Sequence, residues 1–280
     1  MIFQHKYWLA EFSSQGGELI RLYDKQRQID ILYKKDATLW NRVAPHLFPI
    51  IGGLAQKGYW LDHQFYGMSN HGFLRDSQLE LIEVGKDHVL FNLSSNDQTK
   101  QIYPFDFSFD LLYTFTHSKV KVDYTIHNTG QDRMYYMVGA HPGFNVNFDE
   151  KPTLTLIGDH IEEYVMIDNK IADIREQSQH ELILDDSFFS QDTFLYKGVD
   201  KVKLQFNDYQ LSMKWNDDLN VALWTPRYKE TNELGHCLCI EPWYGLSEAH
   251  SNNGQLALRK GIKILNPDET KHISYTIKIK

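Results

Sequence analysis

The chain has 280 residues, with 29 Lys and Arg against 37 Asp and Glu, giving a formal net charge of −8 at neutral pH. That length accommodates one large all-β domain, and no linker, low-complexity tract or shift in composition divides it, so a single domain over residues 1–280 is expected. No concentrated basic patch of the kind a phosphate backbone requires is visible, which argues against nucleic acid as a partner. No apolar stretch approaches the roughly 20 residues that span a bilayer, and residues 1–6 lack a signal-peptide pattern. A soluble cytoplasmic protein without membrane contact is the expectation.

Taken in chain order, the hydrophobic period is two. Residues 79–84 alternate, as do Phe105, Phe107, Phe109 and Leu111 against Asp106, Ser108 and Asp110. Val120, Val122, Tyr124 and Ile126 follow against Lys121, Asp123, Thr125 and His127, before Asn128-Thr129-Gly130 turns the chain. Residues 201–206 and 272–280 repeat the pattern, and Gly16-Gly17 and Asn252-Asn253-Gly254 punctuate it. This reads as half-buried antiparallel strands forming a large all-β sandwich. Helix should be scarce, with a turn or two predicted near residues 187–192.

The only cysteines, Cys237 and Cys239, are spaced i, i+2 and so share one face of a strand, with no second pair to complete a metal site. They read as core filling. The 13 histidines show no metal-ligand spacing, and the sequence requires neither metal nor cofactor.

Two residues stand out for chemistry. His141, in Ala140-His141-Pro142-Gly143, and Glu241, in Ile240-Glu241-Pro242-Trp243, each end an apolar run and precede a proline. Proline restricts the residue before it to extended geometry and supplies no donor, which predicts both side chains at the rim of a sheet, outside its ladder. A carboxylate and an imidazole held protonated by a nearby negative charge make a general base and a general acid near neutral pH. Opening a cyclic hemiacetal needs such a pair: a base for the anomeric hydroxyl and an acid for the ring oxygen.

The residues also support a family. Trp40-Asn41-Arg42-Val43-Ala44-Pro45-His46-Leu47-Phe48-Pro49-Ile50-Ile51-Gly52, then His71-Gly72-Phe73-Leu74-Arg75-Asp76, Tyr103-Pro104-Phe105, His141-Pro142-Gly143-Phe144-Asn145 and Glu241-Pro242-Trp243 occur in the order of the aldose 1-epimerase (mutarotase) family. The chain resembles its LacX-like branch nearly end to end. The resemblance implies a galactose mutarotase-type β-sandwich with an open sugar site and cofactor-free interconversion of α and β anomers, with Glu241 as base and His141 as acid. It implies for His71 a sugar-contacting, charge-stabilising role, and for Asp192 an acidic position ahead of a short apolar strand. The branch usually has an arginine after the glycine where this chain has Gly53, so Arg42 or Arg75 is left to meet the ring hydroxyls, or the pocket accepts a different substituent there. Arg75 and Asp76 also suit a loop-fixing pair. Trp224 and Trp243 are candidates for the floor under a pyranose, whose C–H face packs on an aromatic ring.

Two other readings stay open: a carbohydrate-binding or sensing protein on the same fold, and a glycoside hydrolase or lyase, for which a second carboxylate is wanting. The expected partner is a small-molecule sugar; whether it is phosphorylated, and the oligomeric state, are not legible.

Overall fold

The computed structural model describes residues 1–190 and 193–280. Two large antiparallel sheets face each other. The nine-stranded sheet runs Glu181–Ile183, Thr153–Ile157, Lys201–Gln205, Gln210–Trp215, Thr270–Ile279, Lys119–Asn128, Phe107–Phe115, His88–Ser94, Glu80–Val84. The eight-stranded sheet runs Lys170–Glu176, Glu162–Ile167, Thr193–Lys197, Asn220–Trp224, Cys237–Tyr244, Val138–Ala140, His46–Leu47, with Gly143–Asn145 also paired to Cys237–Tyr244. A four-stranded sheet from Ile2–Gln4 to Ile29–Asp30 adds its apolar face.

The alternation in the sequence builds the interior. In Phe107–Phe115 every odd residue is buried and every even one is partly exposed, and in Lys119–Asn128 the even residues are buried and the odd ones exposed or partly exposed. Phe109, Tyr113, Tyr124 and Ile277 from the larger sheet meet Tyr196, Leu223, Leu238 and Ile240 from the smaller in one apolar cluster. A polar tie crosses it: the fully buried His46 ring lies 2.6 Å from the hydroxyls of both Tyr113 and Tyr124. Burial drives the pKa of His46 down to about 3, so the ring is neutral, donating from one nitrogen and accepting at the other.

Two local expectations are corrected. Residues 79–84 are no half-buried strand: Glu80–Val84 is an outer edge strand, exposed throughout, with Leu81, Ile82 and Val84 facing water. The helix is elsewhere than predicted, at Asp97–Ile102, where Asn96 accepts from the backbone N–H of Gln98 and Thr99 while Thr99 Oγ1 accepts from Asn96 N–H. The turn expected near 187–192 is present as a 3-10 turn at Phe188–Ser190, while residues 191 and 192 lie outside the described residues.

The lysines, scattered along the chain, collect on the outer face of the larger sheet. Lys119 lies opposite Lys278, and Lys201 opposite Lys214. Lys121, Lys203 and Lys280 occupy the same face of these neighbouring strands, so an acidic chain carries a basic patch that its linear order conceals. Among the described residues, no helix is long and apolar enough to cross a membrane.

Candidate functional site

His141 and Glu241, 100 positions apart, are brought together by strand register. Val138 and Gly139 pair with Tyr244 and Trp243, and Gly143 and Phe144 pair with Cys239 and Leu238. The same register carried through the intervening bend sets His141 across from Glu241. His141 Nε2 lies 3.3 Å from Glu241 Oε2, in a site where His141 is nine-tenths buried and Glu241 almost wholly so. The break that releases His141 from the ladder is held by Pro45 C=O, which accepts its backbone N–H at 2.9 Å.

The rim expectation therefore holds for one residue and fails for the other. His141 sits in the gap between two strands, whereas Glu241 is inside the ladder, paired with Ala222, and the strand continues through Pro242 opposite Val221. Proline is tolerated there without ending the strand, and the carboxylate gains burial on both sides: Cys237–Tyr244 is buried at every position except Tyr244.

Alternate residues of this strand point away from the main core. Cys237, Cys239, Glu241 and Trp243 share that face with Trp224 and Ala222 of the neighbouring strand. Leu47, Ile51, Met137, Leu195, Ala222 and Trp243 form one small apolar cluster there, and Tyr33, Cys237 and Cys239 another, with Trp40 and Trp224 packed on it. His141 and Glu241 lie between them. Trp243 donates its indole N–H to Glu241 Oε2 at 3.2 Å, fixing the carboxylate's orientation. Trp224 meets the His141 ring edge-on at 5.5 Å, and Trp40 lies tilted against it at 5.0 Å. Gly143 makes room for this packing: a Cβ there would stand 2.7 Å from Cys237 Sγ and 2.9 Å from the Trp40 ring.

His71 approaches from a separate loop, its ring 5.6 Å from that of His141 and 6.5 Å from Trp243. Its backbone takes the left-handed conformation, φ 65°, and the following Gly72 presses so close to Phe48 C=O that any side chain would collide. Gly52 N–H donates to His71 Nδ1 at 3.2 Å while His71 N–H donates to Gly52 C=O. The ring proton of neutral His71 is thus assigned to Nε2, leaving a donor for a ligand.

Arg42 and Arg75 share one carboxylate. Arg42 Nη2 lies 2.7 Å from Asp76 Oδ1, and Arg75 Nε lies 3.7 Å from Asp76 Oδ2. Arg75 also donates to Asn70 C=O at 2.7 Å, but its buried Nε has no hydrogen-bond partner. The loop-fixing pair is therefore chiefly Arg42–Asp76. Glu18 anchors the segment beneath, its Oε1 accepting from Val43 and Ala44 N–H at 2.7 and 2.9 Å.

The cations bear on both histidines. Burial, then Arg75 and Arg42, lowers the pKa of His71 to about 3. Burial, with His71 and the two arginines adding to it, holds His141 well below the ordinary histidine range. Burial and the nearby cations thus work against the charge on His141 that the Glu241 carboxylate, 3.3 Å away, favours.

Sequence reasoning missed several participants. Trp40 opens the same word as Arg42, and its position there was the available signal. Arg259 carried none: buried, it donates to Ile51 C=O and Gly53 C=O at 2.9 and 3.0 Å and pairs with Glu248 at 3.0 Å, clamping the loop whose Gly52 holds His71. The side of Gly53 where an arginine would project is occupied by Asn70, 3.3 Å from a built Cβ. Cys239 was read as filling alone, yet its thiol sits beside His141 and Glu241. Asp192 lies outside the described residues; the strand Thr193–Lys197 that follows it begins opposite Trp224.

Comparison with known proteins agrees with this architecture. Residues 2–264 match the family model for aldose 1-epimerase. The chromosomal and plasmid forms of protein LacX from Lactococcus lactis are each 25% identical to this chain, covering 99% of it and 98% of their own length. The galactose mutarotase related enzyme of Lactobacillus acidophilus superposes with a TM-score of 0.93 at 23% identity, over 100% of this chain and 97% of its own. A galactose mutarotase-like protein from Lactobacillus casei gives 0.91 at 23% identity, over 100% and 99%. With its family model matched over nearly the whole length, the chain belongs to the aldose 1-epimerase family.

Proposed function

We propose that the protein interconverts the α and β anomers of a hexose or hexose phosphate by acid–base opening and closure of the ring. The observation that carries the reading is the His141–Glu241 approach at 3.3 Å, buried among aromatic rings. Glu241 takes the proton of the anomeric hydroxyl while His141 gives one to the ring oxygen, and the C1–O5 bond breaks without a free oxyanion. Rotation about C1–C2 presents the other aldehyde face, and the transfers reverse with the roles exchanged. An imidazole that binds its proton weakly is a strong donor once it carries one, so the burial of His141 favours delivery to the ring oxygen.

The remaining groups fit binding. His71 offers an Nε2–H to an oxygen of the sugar, and Arg42 and Arg75 bring two positive charges against the single Asp76, which suits hydroxyls or a phosphate substituent. Trp224 and Trp243 flank the pair as apolar walls for the C–H face of the ring.

The test is optical rotation of freshly dissolved α-glucose and α-galactose, and anomer-exchange NMR for hexose 6-phosphates, with and without protein. Acceleration of equilibration for at least one sugar is expected. Saturable binding with no acceleration would replace this reading with that of a sugar-binding protein, and release of reducing sugar from an oligosaccharide would point to a hydrolase.

A further inference from the structure

Cys239 is a buried nucleophilic group that ring opening does not use. It precedes Glu241 by two residues on the same strand face, and its sulfur, one nitrogen of His141 and one oxygen of Glu241 lie within 4.8 Å of one another. A thiolate, an imidazole and a carboxylate are the donor types of tetrahedral zinc sites that keep a fourth position open. Donors held at about 2.0–2.1 Å from one ion stand roughly 3.3–3.4 Å apart along a tetrahedral edge, and His141 Nε2 and Glu241 Oε2 are already 3.3 Å apart. Tyr33, Trp40 and Trp224 form an apolar wall beside the sulfur. The second thiol, Cys237 Sγ, is 4.0 Å from Cys239 Sγ and falls outside the converging set of three.

We propose that this site captures a thiophilic divalent ion, typified by Zn²⁺, through Cys239, His141 and Glu241, with water in the fourth position, and that the ion and the sugar exclude each other. Binding replaces the thiol S–H bond by a sulfur–metal bond and releases that proton to solvent, with no change of oxidation state. The ion occupies the two residues to which the preceding reading gives the proton transfers, so it acts as an inhibitor and not as a cofactor. Capture itself is independent of that reading.

Cobalt(II) added to the full chain under reducing conditions tests the site directly. The expected spectrum has a near-ultraviolet thiolate-to-cobalt charge-transfer band with intense visible bands of tetrahedral cobalt, both abolished by one equivalent of Zn²⁺. Cys239→Ser should lose the charge-transfer band and weaken zinc binding by more than the roughly 10- to 100-fold that removal of a supporting residue costs, while Cys237→Ser keeps the band. In polarimetry, Zn²⁺ should slow the wild type reversibly, with EDTA restoring the rate and excess sugar protecting it. Absence of a charge-transfer band in the wild type, which needs no variant to fold, would overturn the proposal, as would equal zinc affinity in wild type and Cys239→Ser. A protein that shows the cobalt band but no anomer turnover retains the metal site and loses the epimerase reading.

Discussion

The two large sheets use the same period of two for opposite ends. In the nine-stranded sheet one face is core and the other is water, so Phe107–Phe115 and Lys119–Asn128 alternate strictly and the outer face carries lysines. In the eight-stranded sheet the central strand Cys237–Tyr244 is buried on both faces, and its second face holds Cys239, Glu241 and Trp243. A carboxylate is expensive to place in such a strand unless it has partners, and Glu241 finds them in Trp243 and His141. The candidate site lies where a strand departs from alternation, while regular alternation supplies the frame.

Substitutions on the two sheets should separate accordingly. Glu241→Gln, which keeps an acceptor for the Trp243 indole, is expected to lower kcat for anomer interconversion by about 10²- to 10⁴-fold while the denaturation midpoint stays near that of the wild type. The opposite signature is expected of Phe109→Ala, which empties the frame: a loss of about 3–5 kcal/mol by urea denaturation with little change in kcat for molecules that remain folded.

The buried histidines add a pH dependence. His46 and His71 are lowered to about 3, and His141 is lowered well below its ordinary value. Between pH 6.5 and about 3 the unfolded chain therefore binds more protons than the folded one, so stability is fully present above pH 6.5 and is lost as the solution is acidified. Each such histidine contributes a slope of up to about 1.4 kcal/mol per pH unit inside that window. Denaturation curves from pH 7.5 to 4.5 check this, and a flat profile would show that the rings are charged in the fold.

The smallest effect belongs to the lysine face. Like charges directly opposite in a sheet are destabilising, so Lys278→Gln, relieving the contact with Lys119, should raise stability by a few tenths of a kcal/mol, roughly the low end of cross-strand pair energies. The gain should shrink in salt, since exposed charges are screened.

What the sequence revealed follows the same division. Strands of the larger sheet were legible because one apolar face and one wet face leave an alternating record, as in residues 105–111 and 120–127. The edge strand Glu80–Val84 is rich in apolar residues, but its adjacent Leu81 and Ile82 sit at a bulge and nothing covers it, which composition does not report. Lys119 and Lys278 meet only through register, so the basic patch was invisible along the chain. The helix Asp97–Ile102 had its signal in Asn96 and Thr99, but six residues are too few to leave a helical period. His141 and Glu241 were found by their proline contexts and by motif order; that they face one another depends on the pairing of Gly139 with Trp243 and Gly143 with Cys239, which no local pattern encodes. Trp40 and Cys239 were missed for the same reason, since each gains its place beside His141 from a different segment.

The most direct test of the central claim, that His141 and Glu241 act as one acid–base unit, is a double-mutant cycle read by anomer-exchange NMR at neutral pH on wild type, His141→Gln, Glu241→Gln and the double variant. Groups that act together are strongly non-additive, so each single variant is expected to lose about as much rate as the double. Independent losses that multiply in the double variant, or a Glu241→Gln protein that exchanges anomers at the wild-type rate, would contradict it.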